Sequence, residues 1–289
     1  MAATAYCFLS GLSCIRSSFL WQYFGGLMES KRYKWTRRAI GIVSLLLVAA
    51  TVIFGLWITP PDVVQGQLVR LIYVHPPVAW VAYLAYGITS IASTLYLWKR
   101  TRNMKWDLLA ASSAEVGVIF TALTLVTGSI WGRPAWGVWW TWDARLTTTA
   151  LLFVLYLGYL ALRRVPATSH QRAVRSAIAG LIAFVDVPIV HQSVVWWRTL
   201  HQGATVLNPS LSPKIHGEMA MTLLLGFISF TFVYAWMLMH RYQIAGFEQK
   251  ILDIELDQIL EERLHEPGME SMQVELSPDV EQIDRHSKV

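Results

Sequence analysis

Six stretches of this chain are too long and too apolar for an ordinary soluble fold: Ala39–Ile58, Val78–Trp98, Leu108–Ile130, Thr147–Leu162, Ser176–Val195 and His216–Met239. A bilayer-spanning helix needs ~20 mostly apolar residues, and only a helix or a closed barrel satisfies its own backbone in lipid. The expected fold class is therefore all-α: a polytopic membrane protein of six transmembrane helices. Composition agrees, with 54% hydrophobic residues, 15% charged residues and a mean hydropathy of +0.41. Asp107 is the expected N-cap of the third span, and Ser212-Pro213 the expected opening of the sixth. The only cysteines, Cys7 and Cys14, sit near the N-terminus. That excludes a thiol redox centre, a cysteine metal site or a disulfide framework from the body of the protein.

The basic residues orient the spans. Lys31, Arg32, Lys34, Arg37 and Arg38 precede the first. Lys99, Arg100, Arg102 and Lys105 lie between the second and third, and Arg163, Arg164, Arg172 and Arg175 between the fourth and fifth. The alternate connections carry only Arg70, then Arg133 and Arg145, then Arg198 and Lys214. Positive loops remain on the cytoplasmic side. Both termini are expected inside, and the loops near 59–77, 130–147 and 196–215 outside. The inner loops read as plain tethers, whereas the outer ones concentrate His, Trp, Pro and Arg, which assigns the chemistry to the outer face.

The middle outer loop, "WGRPAWGVWWTWDARLT", holds five of the fourteen tryptophans. One or two rings per helix end make an interfacial belt; five in a dozen positions suggest an interaction surface. Gly132-Arg133-Pro134 is expected to break the chain, with Pro134 opening a short amphipathic Trp-rich helix on the outer face. Trp136, Trp139 and Trp140 then fall on one side of it, near Asp143. The flanking loops supply histidines, in "YVHPP" (His75) and "WWRTLHQG" (His201). His191 and His216 lie toward the outer ends of spans five and six, and periodicity does not choose among the four. Paired imidazoles, aromatic faces and guanidiniums from Arg70, Arg133, Arg145 and Arg198 are the groups that suit a haem, a flat apolar disc with two carboxylates. A single histidine is more often a backbone-bonded loop residue. Glu115, Asp186 and Glu218 within spans are expected to make structural polar pairs between helices.

Taken in order, "YVHPP", "TLVTGSIWGRP", "WTWDARLT" and "WWRTLHQG" resemble the CcmC family, haem-handling membrane proteins of cytochrome c maturation with a tryptophan-rich (WWD) signature. The resemblance runs from about residue 40 to 240. It implies that haem b is bound at the outer face with bis-His ligation by His75 and His201, which demotes His191 and His216. It makes Trp131, Trp136, Trp139, Trp140, Trp142 and Asp143 the surface where haem meets a partner, and Arg70 and Arg145 the propionate contacts. The implied partners are a membrane-anchored haem chaperone (CcmE-like), ABC transporter subunits (CcmA- and CcmB-like), a small membrane subunit (CcmD-like) and membrane lipid; nucleic acid is not among them. The implied role is relay rather than enzymatic turnover. No GxxxxGK[ST] phosphate loop occurs, so nucleotide energy has to come from another subunit. The implied location is the bacterial inner (cytoplasmic) membrane, with the mitochondrial inner membrane as the alternative.

Val195 and Arg198 depart from the family's last motif, where Glu and Asn are usual. The expected organisation is an N-terminal extension and basic segment (1–38), a six-helix haem-handling domain (39–240) and an acidic cytoplasmic tail (241–289). Twelve of the nineteen acidic residues follow residue 247. "MESKRYKWTRR" at Met28 reads as a natural start, and "EQKILDIELDQILEERLHEP" as an amphipathic helix or a solvated tail. Two rival functions stand beside this one: an electron-transferring b-type cytochrome, which would use histidine pairs, and an integral permease subunit of a haem exporter, for which Glu115 and Asp186 are the polar residues within spans.

Overall fold

The structure, a computed structural model, describes residues 31–201 and 215–264. The expected start at Met28, the Ser212-Pro213 opening, Lys214 and the end of the acidic tail lie outside them. The described residues are helical, with no strand among them; the sole extended pairing is a bridge between Asp62 and Gly66. In chain order the helices are α1 (Lys31–Ile53), α2 (His75–Leu97), α3 (Met104–Trp136), α4 (Ala144–Arg164), α5 (Ser169–Phe184), α6 (Asp186–Trp196) and α7 (Gly217–Leu264). A π-helical turn, Phe54–Ile58, continues α1, and a 3₁₀ segment, Gln67–Tyr73, leads into α2. Six helical stretches are long and apolar enough to cross a membrane, as the hydropathy pattern predicts. Two compact units divide the chain, Met1–Tyr242 and Gln243–Val289. In the second, helix continues to Leu264, with Ile251, Leu252, Ile254 and Ile259 exposed.

The spans differ in detail from the sequence expectations, for local reasons. The third begins at Met104, capped by Asn103, whose side chain accepts from the Lys105 N–H. Asp107 is not the cap. It lies inside α3 and receives two hydrogen bonds from Arg163 of α4, at 2.6 and 2.8 Å. The fifth span is broken into α5 and α6 at Val185. Pro188, in the first turn of α6, has no N–H for the Phe184 carbonyl, and its ring crowds that carbonyl. A capping box opens α5, formed reciprocally by Thr168 and Gln171.

The largest difference is at the tryptophan loop. Pro134 does not begin a new helix; it sits in the last turn of α3, which runs on to Trp136. The helix stops at Gly137, in the left-handed conformation (φ 81°), with its N–H bonded to the Arg133 carbonyl at 3.0 Å. Residues 137–143 then form an irregular segment, and no amphipathic helix is present there.

Within the first unit, α2 runs through the core. Tyr86 stacks on Tyr156 of α4 with ring centroids 3.6 Å apart, and shares a 2.7 Å hydrogen bond with Thr121 of α3. Ser113 of α3 donates to the Ala85 carbonyl and pairs with the Tyr234 hydroxyl of α7, both at 2.7 Å. Buried Ala82, Ala85, Ala111 and Ala114 let α2 and α3 approach closely. Such small-residue packing and interhelical hydrogen bonds, ~0.6 kcal/mol each on average, hold helices together where lipid supplies no hydrophobic drive. Glu115 receives a 2.9 Å bond from Arg241, the interhelical pairing expected of it. Asp186 is buried, but its Oδ2 has no hydrogen-bond partner, so the same expectation does not hold there.

Candidate functional site

One end of the first unit encloses a cavity of about 700 Å³, within the ~300–1,000 Å³ usual for small-molecule sites. Five helices contribute: α2 (His75, Trp80, Tyr83), α3 (Trp131, Trp136), α4 (Arg145), α6 (His191) and α7 (Phe227, Ile228), together with His201 beyond α6. The outer-loop motifs, distant in sequence, therefore converge on one space.

His75 is the first residue of α2, immediately before Pro76 and Pro77, whose missing N–H groups cost nothing in a first turn. Its Nδ1 lies 2.9 Å from the Thr127 hydroxyl of α3. That hydroxyl already donates to the Leu123 carbonyl at 2.7 Å, so its oxygen accepts and His75 Nδ1 carries the proton. The Nε2 lone pair is thereby left available. On α3, Gly128 and Gly132 are one turn apart and make the room: a Cβ on Gly128 would stand 3.1 Å from the His75 ring, and one on Gly132 3.1 Å from the Trp136 ring.

His201 arrives at the same condition by a different route. Asp143 N-caps α4, its Oδ1 accepting from the Leu146 N–H at 2.9 Å. Its Oδ2 accepts from the Thr199 hydroxyl, from the Leu200 N–H at 3.2 Å and from His201 Nδ1 at 3.2 Å. One carboxylate thus starts a helix, pins the 199–201 segment and orients an imidazole, leaving Nε2 as its free nitrogen. Burial pushes the His201 pKa below its ordinary value, against the raising influence of Asp143, so the ring is neutral at pH 7. Burial opposes ionisation of Asp143, but the hydrogen bonds from Thr199, Leu146 and His201 together outweigh it and lower its pKa. A carboxylate behind a neutral imidazole strengthens that imidazole as a metal ligand.

The tryptophans separate into two groups. Trp131 and Trp136 line the cavity, each edge-on to one histidine: Trp131 to His75 at 5.9 Å, Trp136 to His201 at 4.7 Å. Trp131 also donates its indole N–H to Gln65, at 3.2 Å. Trp139, Trp140 and Trp142 do not line it; Trp139 and Trp142 are exposed, and Trp140 packs edge-on against Trp142 at 5.5 Å. The arginines separate likewise. Arg145 lines the cavity, gives one N–H to the His191 carbonyl at 3.2 Å and has a buried Nε with no hydrogen-bond partner. Arg70 is not in the lining; its guanidinium bonds the Gln67 side chain and the Gly55 carbonyl of the π-helical turn. Arg133 turns back to the Gly137 carbonyl. His191 shares the lining, whereas His216 is exposed and outside it.

Sequence reasoning passed over Thr127, Gln65, Tyr83 and Trp80. Only Thr127 carried a usable signal: it stands one turn before Trp131, on the same face of α3. Among the described residues, no group of three His, Cys, Asp or Glu side chains forms a metal site. The arrangement is instead two separate, pre-oriented imidazoles facing one aromatic cavity with an arginine at its edge.

These features define the class: a polytopic, all-α membrane protein with an aromatic cavity lined by histidines and an arginine. The sequence model of the CcmC family, heme exporter protein C, matches residues 28–255. The chain is 39% identical over 202 residues to Heme exporter protein C of Haemophilus influenzae, covering 70% of this chain and 81% of that protein. It is 37% identical over 186 residues to the Escherichia coli K12 protein of the same name, covering 64% and 75%. A ccmC-like mitochondrial protein of Marchantia polymorpha, named as a putative cytochrome c biosynthesis protein, is 38% identical over 187 residues, covering 65% and 78%. The chain belongs to the CcmC family.

Proposed function

We propose that this protein binds haem b as cargo between His75 and His201, at the outer face of a bacterial inner membrane or its mitochondrial counterpart, with both termini inside. It then yields that haem to a membrane-anchored, CcmE-like chaperone during cytochrome c maturation. One observation carries the reading: two imidazoles from distant segments face one cavity, each with Nδ1 committed to an acceptor and Nε2 left for iron. The family membership and the relatives' names, which specify heme export and cytochrome c biosynthesis, support the same cargo.

The residues fit that group. Trp131 and Trp136 supply aromatic walls, and the partnerless Nε of Arg145 is placed for a propionate. Arg70, committed to Gly55 and Gln67, is not a propionate contact in this reading. His75 and His201 would hold the iron of the cargo through their Nε2 atoms. Trp139 and Trp142, exposed beside the cavity, are the surface that meets the chaperone. The protein performs no turnover of its own; energy for release comes from ABC subunits of the CcmA and CcmB kind, with a small CcmD-like subunit completing the assembly. A permanent b-type cytochrome is disfavoured because both histidines sit at span ends beside exposed aromatic loops.

The test is the absorption spectrum of the detergent-purified protein. Haem is expected to co-purify with a low-spin bis-imidazole spectrum that His75→Ala and His201→Ala each abolish, while His191→Ala retains it. A wild-type preparation without haem, or a spectrum altered by His191→Ala alone, overturns the reading.

A further inference from the structure

The cavity has two kinds of edge. On the loop side Gln65, Ala135 and Leu200 are exposed. On the other side four lining residues are also exposed: Trp80 of α2 (37%) and Leu224, Ile228 and Phe232 of α7 (53%, 41% and 37%). Leu224, Ile228 and Phe232 recur every four residues, so they form one stripe of α7 roughly 12 Å long. The opposite side of α7 over the same turns is packed. Thr222 and Ser229 bond Thr59 and Thr51 beside or within α1, both at 2.7 Å, and Leu223 and Tyr234 are in the core. The stripe is the remaining flank, and at the depth of a membrane span what lies against an exposed flank is lipid.

We infer that the seam between α2 and α7 is a lateral door, through which an amphipathic metalloporphyrin already dissolved in the bilayer slides into the cavity. The inference rests on the haem reading above and adds the source of the cargo. Chemistry along the seam suits that route. Its edges are Leu, Ile, Phe and Trp, with Thr231 and Tyr83 the polar groups, so an apolar macrocycle passes without stripping charge. The anionic end of such a molecule rides at headgroup level, because a carboxylate in hydrocarbon is costly. Arg145 is the second residue of α4, at the same end of the unit as His75 and His201. A porphyrin moving sideways therefore brings carboxylates to Arg145, and its metal to the imidazoles, without turning over.

A latch crosses the seam. Trp80 donates its indole N–H to the Thr231 hydroxyl at 3.2 Å and packs edge-on against Phe227 at 6.3 Å. Admission through the door requires this one interhelical hydrogen bond to open, while the core stack of Tyr86 and Tyr156 stays in place.

The full chain, stripped of haem and reconstituted in phosphatidylglycerol–phosphatidylethanolamine vesicles, provides the test. Haem is supplied either predissolved in the vesicle bilayer or bound to albumin in the aqueous phase, and growth of the bis-imidazole spectrum is followed. Wild type is expected to load faster from the bilayer. Ile228→Trp, which narrows the door, is expected to slow bilayer loading about tenfold, equivalent to ~1.4 kcal/mol on the barrier; Thr231→Val, which releases the latch, is expected to quicken it severalfold. Bilayer loading of Ile228→Trp at the wild-type rate overturns the inference, as does faster wild-type loading from albumin. If Ile228→Trp gives no spectrum at any time, an unchanged rate in Thr231→Val overturns it instead. A wild-type protein that never develops the spectrum from either donor defeats the haem reading, a distinguishable result.

Discussion

Asp143 does two jobs that different substitutions separate. Asparagine is as good an N-cap as aspartate, whereas alanine loses the cap, typically at a cost of ~1 kcal/mol. Asp143→Asn is therefore expected to keep the N-cap of α4 and unfold less readily than Asp143→Ala, while losing the acceptor oxygen and negative charge behind His201. Removing such an outer partner of a metal-binding imidazole commonly weakens binding ~10–100-fold. Asp143→Ala is expected to lose both. Haem titration alongside thermal unfolding of the two variants checks the split, and equal haem affinity in Asp143→Asn and wild type would refute the orienting role. Composition and topology singled out the loops that carry His75, His201, Trp131 and Trp136, four residues that line one cavity, but the preference for His75 and His201 over His191 and His216 came from the family resemblance. The role of Asp143 was not legible in the sequence. Helical spacing placed it near Trp136, Trp139 and Trp140, but its bonds run to Thr199, Leu200 and His201, a segment more than fifty residues away. Thr127 shared a helix face with Trp131 by spacing, but its partner His75 appears only once the fold brings α2 against α3.

At the level of elements, hydropathy located all six spans, but their ends depended on side chains with tertiary partners. Asp107 looked like a cap and proved to be half of a buried ion pair tying the start of α3 to the end of α4, with side-chain exposures of 3% for Asp107 and 13% for Arg163. Breaking one partner of such a pair strands the other charge and costs ~3–5 kcal/mol, whereas replacing both is often close to neutral. Asp107→Leu and Arg163→Met are each expected to destabilise strongly, and the double variant to recover most of the loss, as read in a double-mutant cycle of unfolding in detergent. Additive effects would remove the pair from the account of α3–α4 packing. Pro134 misled in the opposite direction. A Gly-Arg-Pro run reads as a helix breaker, yet at the last turn of α3 the helix is ending anyway, and Gly137 sets the stop. The consequence is spatial: the extra turn carries Trp131 and Trp136 toward the two histidines, while Trp139, Trp140 and Trp142 are left outside on an irregular segment.

For the molecule as a whole, that division of the tryptophans separates, in the proposed function, holding from handing over. Trp139 and Trp142 contact neither histidine and do not line the cavity. The double substitution Trp139→Ala with Trp142→Ala is expected to leave the haem spectrum intact and to reduce transfer to a purified CcmE-like chaperone at least severalfold. Transfer at the wild-type rate would dismiss that surface as the docking site. The four bonds converging on the Asp143 carboxylate carry a further consequence, in kinetic terms. His201 does not swing away alone: the contacts that hold its ring are shared with the anchorage of residues 199–200 and the first turn of α4. Withdrawing the ligand and fraying that helix end are therefore one cooperative event. Under the proposed function, spontaneous loss of cargo would be a rare opening, and a partner that prises apart this end of the protein would set the tempo of release.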